Sequence, residues 1–161
     1  MTLHLILMRH AKSALASEHF TDHERPLAPE GREAIQAIAS HLSQLGKIPD
    51  YIYSSDSLRT RQTTEILVPA LGFAPKIVYT SSLYQASAGE VIDFLRLEAK
   101  SNCVQLVGHN PAMESLLELL SHQYRPMDPG SVAILQHDTN DWEQALRKAG
   151  TWTLAGFISA T

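Results

Sequence analysis

An arginine and a histidine stand side by side at Arg9 and His10, directly after the apolar run Leu3–Met8. A second arginine, Arg59, lies just past the short apolar segment that ends at Ser55. A second histidine, His109, closes another mainly apolar run, 102–108. Guanidinium groups grip phosphoryl oxygens through paired N–H donors, and their charge is permanent. A neutral imidazole is a nucleophile that can form a covalent intermediate. A second imidazole, when protonated, can stabilise charge on the equatorial oxygens of a phosphoryl transition state. These four side chains therefore have the chemistry of phosphoryl transfer, provided the fold brings them together.

Taken singly, each has a plainer reading. Arg9 could be an ion-pair partner and Arg59 an ordinary helix-surface cation. Arg61, His41 and His122 are read in that plain way. The argument for the four rests on their positions, because each follows a segment with the length and composition of a strand.

The segments that must position them alternate. Leu3–Met8 reads as a strand buried on both faces, being short and continuously apolar. Residues 11–29 are polar and turn-rich, as expected of a long loop. Glu30–Gly46 has apolar residues at helical spacing (Ala34, Ile35, Ile38, Leu42, Leu45) and a glycine stop. Asp50–Ser55 reads as a strand and Asp56–Gly72 as a helix with Pro69 near its end. Pro75–Thr80 reads as an edge strand and Ser87–Ala99 as a helix. Asn102–His109 is a further buried strand, and Asn110–His122 a helix with an early proline. Segments 130–138 and 150–159 close the chain as two strands, antiparallel and joined by 139–150. This alternation predicts an α/β fold. Ligands of such sheets bind beyond the carboxyl ends of the parallel strands. Arg9, His10, Arg59 and His109 would then converge on one edge, near a helix N-terminus that favours anions.

The 161 residues are expected to form one domain, 1–161, large enough to bury a core unaided. Hydrophobic residues make up 44% and charged residues 19%, as in globular proteins generally. The net charge of −4 argues against a general nucleic-acid binder. The one cysteine, Cys103, excludes an internal disulfide and reads as buried. No run approaches ~20 apolar residues, and the N-terminus has no leader features, so no membrane span and a cytoplasmic location are expected. His4, His10, His19, His23 and His109 show no paired metal-ligand spacing, so no metal site is expected.

The ordered set "RHA", "SSDSLRTRQTTE" and "VGHNP" resembles the motifs of the histidine phosphatase superfamily, which includes the phosphoglycerate mutases. Ser55, Arg59 and Thr63 match that family's Ser-x-x-x-Arg-x-x-x-Thr motif. The resemblance implies a three-layer α/β/α sandwich with a mostly parallel central sheet. It implies His10 as the phospho-accepting nucleophile, Arg9, Arg59 and His109 around the phosphate, and no metal or organic cofactor. The compact length, "DHERPLAPEG" and "RHAKS" are similar to SixA-type phosphohistidine phosphatases. A phosphorylated substrate, such as a histidine-phosphotransfer protein, is the partner this implies.

Two departures matter. The family's motif glycine is Ala11, so that position is not expected to need positive φ. Other branches place a carboxylic acid after the middle motif to protonate an alkoxide. Here the corresponding stretch, "SSLYQASAGEV", has only Glu90, which reads as a first-turn helix residue. Loop acids Asp22 and Glu24 could instead fold over the pocket, and Arg25 could reach the phosphate or form a salt bridge. Without an acid, phosphoramidates and aryl phosphates are favoured over alkyl phosphates. The alternatives are a phosphatase or mutase for small phosphoesters, and a phosphate-binding module without turnover.

Overall fold

The computed structural model describes residues 2–160. The chain runs β1 (Leu3–Arg9), α1 (Pro29–Gln44), β2 (Tyr51–Ser55), α2 (Leu58–Leu71), β3 (Lys76–Thr80), α3 (Ala88–Glu98), β4 (Cys103–Gly108), α4 (Ala112–Ser121), β5 (Val132–His137), α5 (Trp142–Ala145) and β6 (Thr153–Ile158). A 3-10 turn at Ser81–Leu83 leads from β3 toward α3. The strands form one six-stranded sheet in the order β3-β2-β4-β1-β5-β6. β3, β2, β4 and β1 are mutually parallel, while β5 runs antiparallel to both β1 and β6.

Successive residues of a strand face opposite ways, so an uninterrupted apolar strand must be covered on both sides. β1 shows this directly. Leu3, Leu5 and Leu7 pack with the apolar residues of α3, α4 and α5, including Val91, Leu95, Leu116 and Trp142. Ile6 and Met8 pack with those of α1 and α2, including Ile35, Ile38, Leu42 and Leu67. Helices thus cover both faces, and the result is a three-layer α/β/α sandwich. Each side chain buried this completely is worth ~1.5–3 kcal/mol of transfer free energy.

Helix ends follow local chemistry. Pro29 opens α1, where a missing N–H costs nothing. α2 ends at Leu71 with Gly72 in the left-handed conformation, so Pro69 falls in its last turn. α4 begins later than the sequence pattern implies, because Pro111 is its N-cap. The connection between β5 and β6 contains α5, which the sequence pattern does not announce. Trp142 anchors it by donating from Nε1 to the Ser101 carbonyl, 2.8 Å. Cys103 is half-buried, and burial pushes its thiol up to about 11.

The 11–29 segment is held rather than loose. Ser13 bridges Leu27, Ala14 N–H donates to Pro26 O, and Leu27 N–H donates to the Gln62 side chain. Gly31 sits against this segment, and a Cβ there would collide with the Lys12 carbonyl.

Candidate active site

The carboxyl ends of β1, β2 and β4 lie together in the sheet, with Arg9 opposite Gly108. The residue after β1 is His10, and the residue after β4 is His109. The His10 N–H donates to Gly108 O at 3.0 Å, and Gly130 N–H donates to His10 O at 2.8 Å. His10 is therefore fixed by backbone bonds on two sides. The two imidazole rings stand 5.3 Å apart.

The middle motif acts as one device. Ser55 ends β2, and the four-residue spacing stacks Arg59 above Thr63 on one face of α2. Ser55 Oγ lies 2.9 Å from His109 Nε2. Thr63 Oγ accepts the Ala11 N–H at 3.1 Å and donates to Arg59 O at 2.8 Å. Arg59 Nη2 is 3.4 Å from His109 Nδ1. Since a guanidinium only donates, His109 Nδ1 accepts, and its proton sits on Nε2 toward Ser55.

The same reasoning fixes the His10 tautomer. Its Nδ1 is 2.7 Å from the Ala11 carbonyl, which can only accept. Nδ1 therefore carries the proton, and Nε2 keeps a free lone pair. His10 is 6% exposed, and burial is the main cause that lowers its pKa to about 3, with His109, Arg59 and Arg9 adding to it. Burial, then Arg59, lowers His109 to about 4. Both imidazoles are neutral at neutral pH, so His109 is not the standing cation that a charge-stabilising role would use. A phosphoryl dianion beside it would oppose that depression.

Arg9 Nη1 donates to Met127 O at 3.0 Å, as does Asn110 Nδ2 at 2.9 Å. The Nε groups of Arg9 and Arg59 are buried without a partner. Both arginines line a cavity of about 240 Å³ together with His10, Arg25, His109 and Tyr84. Gln85 and Asn110 complete its wall. Two guanidinium groups on the wall of such a cavity are suited to an oxyanion. A larger cavity of about 550 Å³ along β6 has one charged wall residue, Arg125, and no histidine.

The loop residues separate clearly. Asp22 folds over the site: its carboxylate accepts from Tyr84 Oη at 2.5 Å, Arg25 Nη1 at 3.0 Å and Arg59 Nη2 at 3.2 Å. Its backbone carbonyl accepts from Arg59 Nη1 at 2.7 Å. The Tyr84 hydroxyl, followed by Arg25 and Arg59, holds this carboxyl well below the usual carboxylate range. Arg25 pairs with Asp22 and also lines the cavity. Glu24 is engaged instead by Thr21, and Glu90 closes a capping box with Ser87 at the start of α3. Arg61 donates to Asp56 O and lies over the Tyr79 ring, away from the cavity wall. Ala11 does not have positive φ. The first N–H of α2, at Leu58, is taken by His23 O rather than left for a ligand. Among the described residues, no three His, Cys, Asp or Glu side chains are grouped as metal ligands. Tyr84 and Gln85 carry no motif signal, whereas Asn110 lies in "VGHNP" directly after His109.

The model of the histidine phosphatase superfamily (branch 1) matches residues 5–91. The chain belongs to this superfamily. An uncharacterized chloroplastic protein of Arabidopsis thaliana is 32% identical over 167 residues, covering 96% of this chain and 77% of its own. A structure from Agrobacterium tumefaciens, carrying the provisional name phosphohistidine phosphatase SixA, is 27% identical with a TM-score of 0.83, covering 98% of this chain and 97% of that one. The protein histidine phosphatase SixA complexed with tungstate has the same fold, at 23% identity and a TM-score of 0.79, covering 98% and 97%. The sandwich is thus the phosphoglycerate mutase-like fold shared by these histidine phosphatases. No helix among the described residues is long and apolar enough to cross a membrane.

Proposed function

We propose that this chain, acting as one domain, is a SixA-type phosphohistidine phosphatase that works through a phosphohistidine on His10. The observation that carries the reading is the cavity itself: a neutral, buried imidazole whose tautomer frees Nε2, beside two guanidinium groups on the cavity wall.

Arg9, Arg59 and Arg25 receive the phosphoryl oxygens. His10 Nε2 forms the bond to phosphorus as the bond to the leaving group breaks, and the electron pair departs with the leaving group. Water then attacks the phosphorus of phospho-His10. The products are inorganic phosphate, neutral His10 and one proton released to solvent.

Substrate class follows from the carboxylates. Glu90 is occupied in a helix cap, Glu24 is bonded away from the cavity, and Asp22 is held ionised. None of the three is a proton donor to an alkoxide. Leaving groups that need little protonation are therefore preferred, phosphohistidine foremost and aryl phosphates next. The partner is a phosphorylated protein, with a histidine-phosphotransfer protein as the specific proposal, and the location is the cytoplasm. The names borne by the similar structures support this reading.

The test is turnover of p-nitrophenyl phosphate and of a phosphohistidine peptide by the wild type and His10→Ala. Loss of at least ~10³-fold on both is expected for a missing nucleophile. Wild-type rates in the variant would contradict the proposal.

A further inference from the structure

An in-line displacement expels the leaving group on the side of phosphorus opposite the nucleophile. His10, 6% exposed, lies at the floor of the cavity, so the leaving group faces its open mouth. The Asp22 side chain, 47% exposed, does not itself line the cavity but is anchored on its wall. It is bonded to Arg25, Arg59 and Tyr84, three residues of the cavity wall. In families that cleave esters, an acid at such a place would give up a proton. Asp22 has none to give, since three donors converge on its two oxygens.

A fixed negative charge there still acts on the departing group. An ester leaving group gains negative charge in the transition state, which Asp22 repels. A phosphoramidate reacts in its nitrogen-protonated form, which Asp22 attracts. We propose that Asp22 is a specificity-determining residue that favours substrates whose leaving group arrives as a cation over those whose leaving group departs as an oxyanion. In the favoured reaction the P–N bond breaks and its electron pair stays on the leaving nitrogen. The ring proton already present then leaves the product as neutral imidazole, while the new bond forms at His10 Nε2. This inference rests on the phosphatase reading above and deepens it.

The experiment compares kcat/KM for phosphoimidazole and for p-nitrophenyl phosphate in the wild type, Asp22→Asn and Tyr84→Phe. Melting temperatures confirm that the variants fold. Asp22→Asn keeps the shape and removes the charge. The ratio of phosphoimidazole to p-nitrophenyl phosphate turnover is expected to fall tenfold or more. Tyr84→Phe removes one hydrogen bond but leaves the charge, so its ratio stays near the wild-type value. Equal loss on both substrates in Asp22→Asn would reduce Asp22 to a brace for the arginines and overturn the inference. So would an unchanged ratio, or the same collapse of the ratio in Tyr84→Phe. A wild type that turns over neither substrate would sink the phosphatase reading itself, a result distinct from any change of ratio.

Discussion

His10 is close to several cations, and it keeps its lone pair. Burial and the neighbouring positive charges both disfavour a second proton, so the ring is a free base well below neutrality. An NMR titration is therefore expected to show the His10 and His109 rings in their neutral forms from pH 8 down to about pH 5. A midpoint for either near the ordinary ~6.5 would contradict the electrostatics described. Arg9, His10, Arg59 and His109 were legible in the sequence because strand ends in a parallel sheet have a predictable destination. Asp22 was not separable from Glu24 that way. Both are loop acids, and which of them reaches Arg59 is decided by how residues 11–29 fold back onto α2. Tyr84 was hidden for a similar reason, since nothing local distinguishes a rim tyrosine from a surface one.

The elements divide into those that carry the site and those that merely frame it. Glu90 belongs to the second kind. Ser87 Oγ accepts the Glu90 N–H at 3.1 Å, and the Glu90 carboxylate accepts the Ser87 N–H at 3.0 Å. Ser87→Ala should cost ~1 kcal/mol of stability in chemical denaturation with turnover intact. Glu90→Gln should leave kcat unchanged, and a large drop in kcat would restore Glu90 as a proton donor. β4 contains a different local conflict. Gln105 is fully buried, its amide faces Met8 sulfur at 3.6 Å, and its Oε1 has no partner. A buried unsatisfied carbonyl costs ~1–3 kcal/mol, so Gln105→Met is expected to raise the melting temperature. A fall would mean the amide is satisfied in solution. Element types were readable from periodicity. Boundaries shifted where a cap decides them, as at Pro111, and α5 was missed because four residues are too few to show a helical period.

At the scale of the whole molecule, the sheet is the platform that brings distant segments to one edge. β1 lies between β4 and β5, with helices on both faces, so Arg9 and His10 emerge from a strand packed on both sides. The buried neutral histidines also shape stability. Unfolded imidazoles titrate near ~6.5, above their folded values, so the unfolded state binds more protons in that window. Stability is thus fully present above pH ~6.5 and is lost as pH falls toward about 4 and about 3. Asp22, depressed in the folded state, contributes in the same direction at lower pH. A denaturation midpoint that rises on acidification from pH 7 to pH 5 would contradict this. The central claim is that His10 accepts the phosphoryl group, and trapping it is the most direct test. The protein is mixed with a labelled phosphoramidate, quenched without acid within the first turnovers, and mapped by mass spectrometry. The predicted result is phosphate on His10 in the wild type and none in His10→Ala. Turnover with label on another residue, or with a rapid quench that finds no covalent phosphate at all, would contradict it.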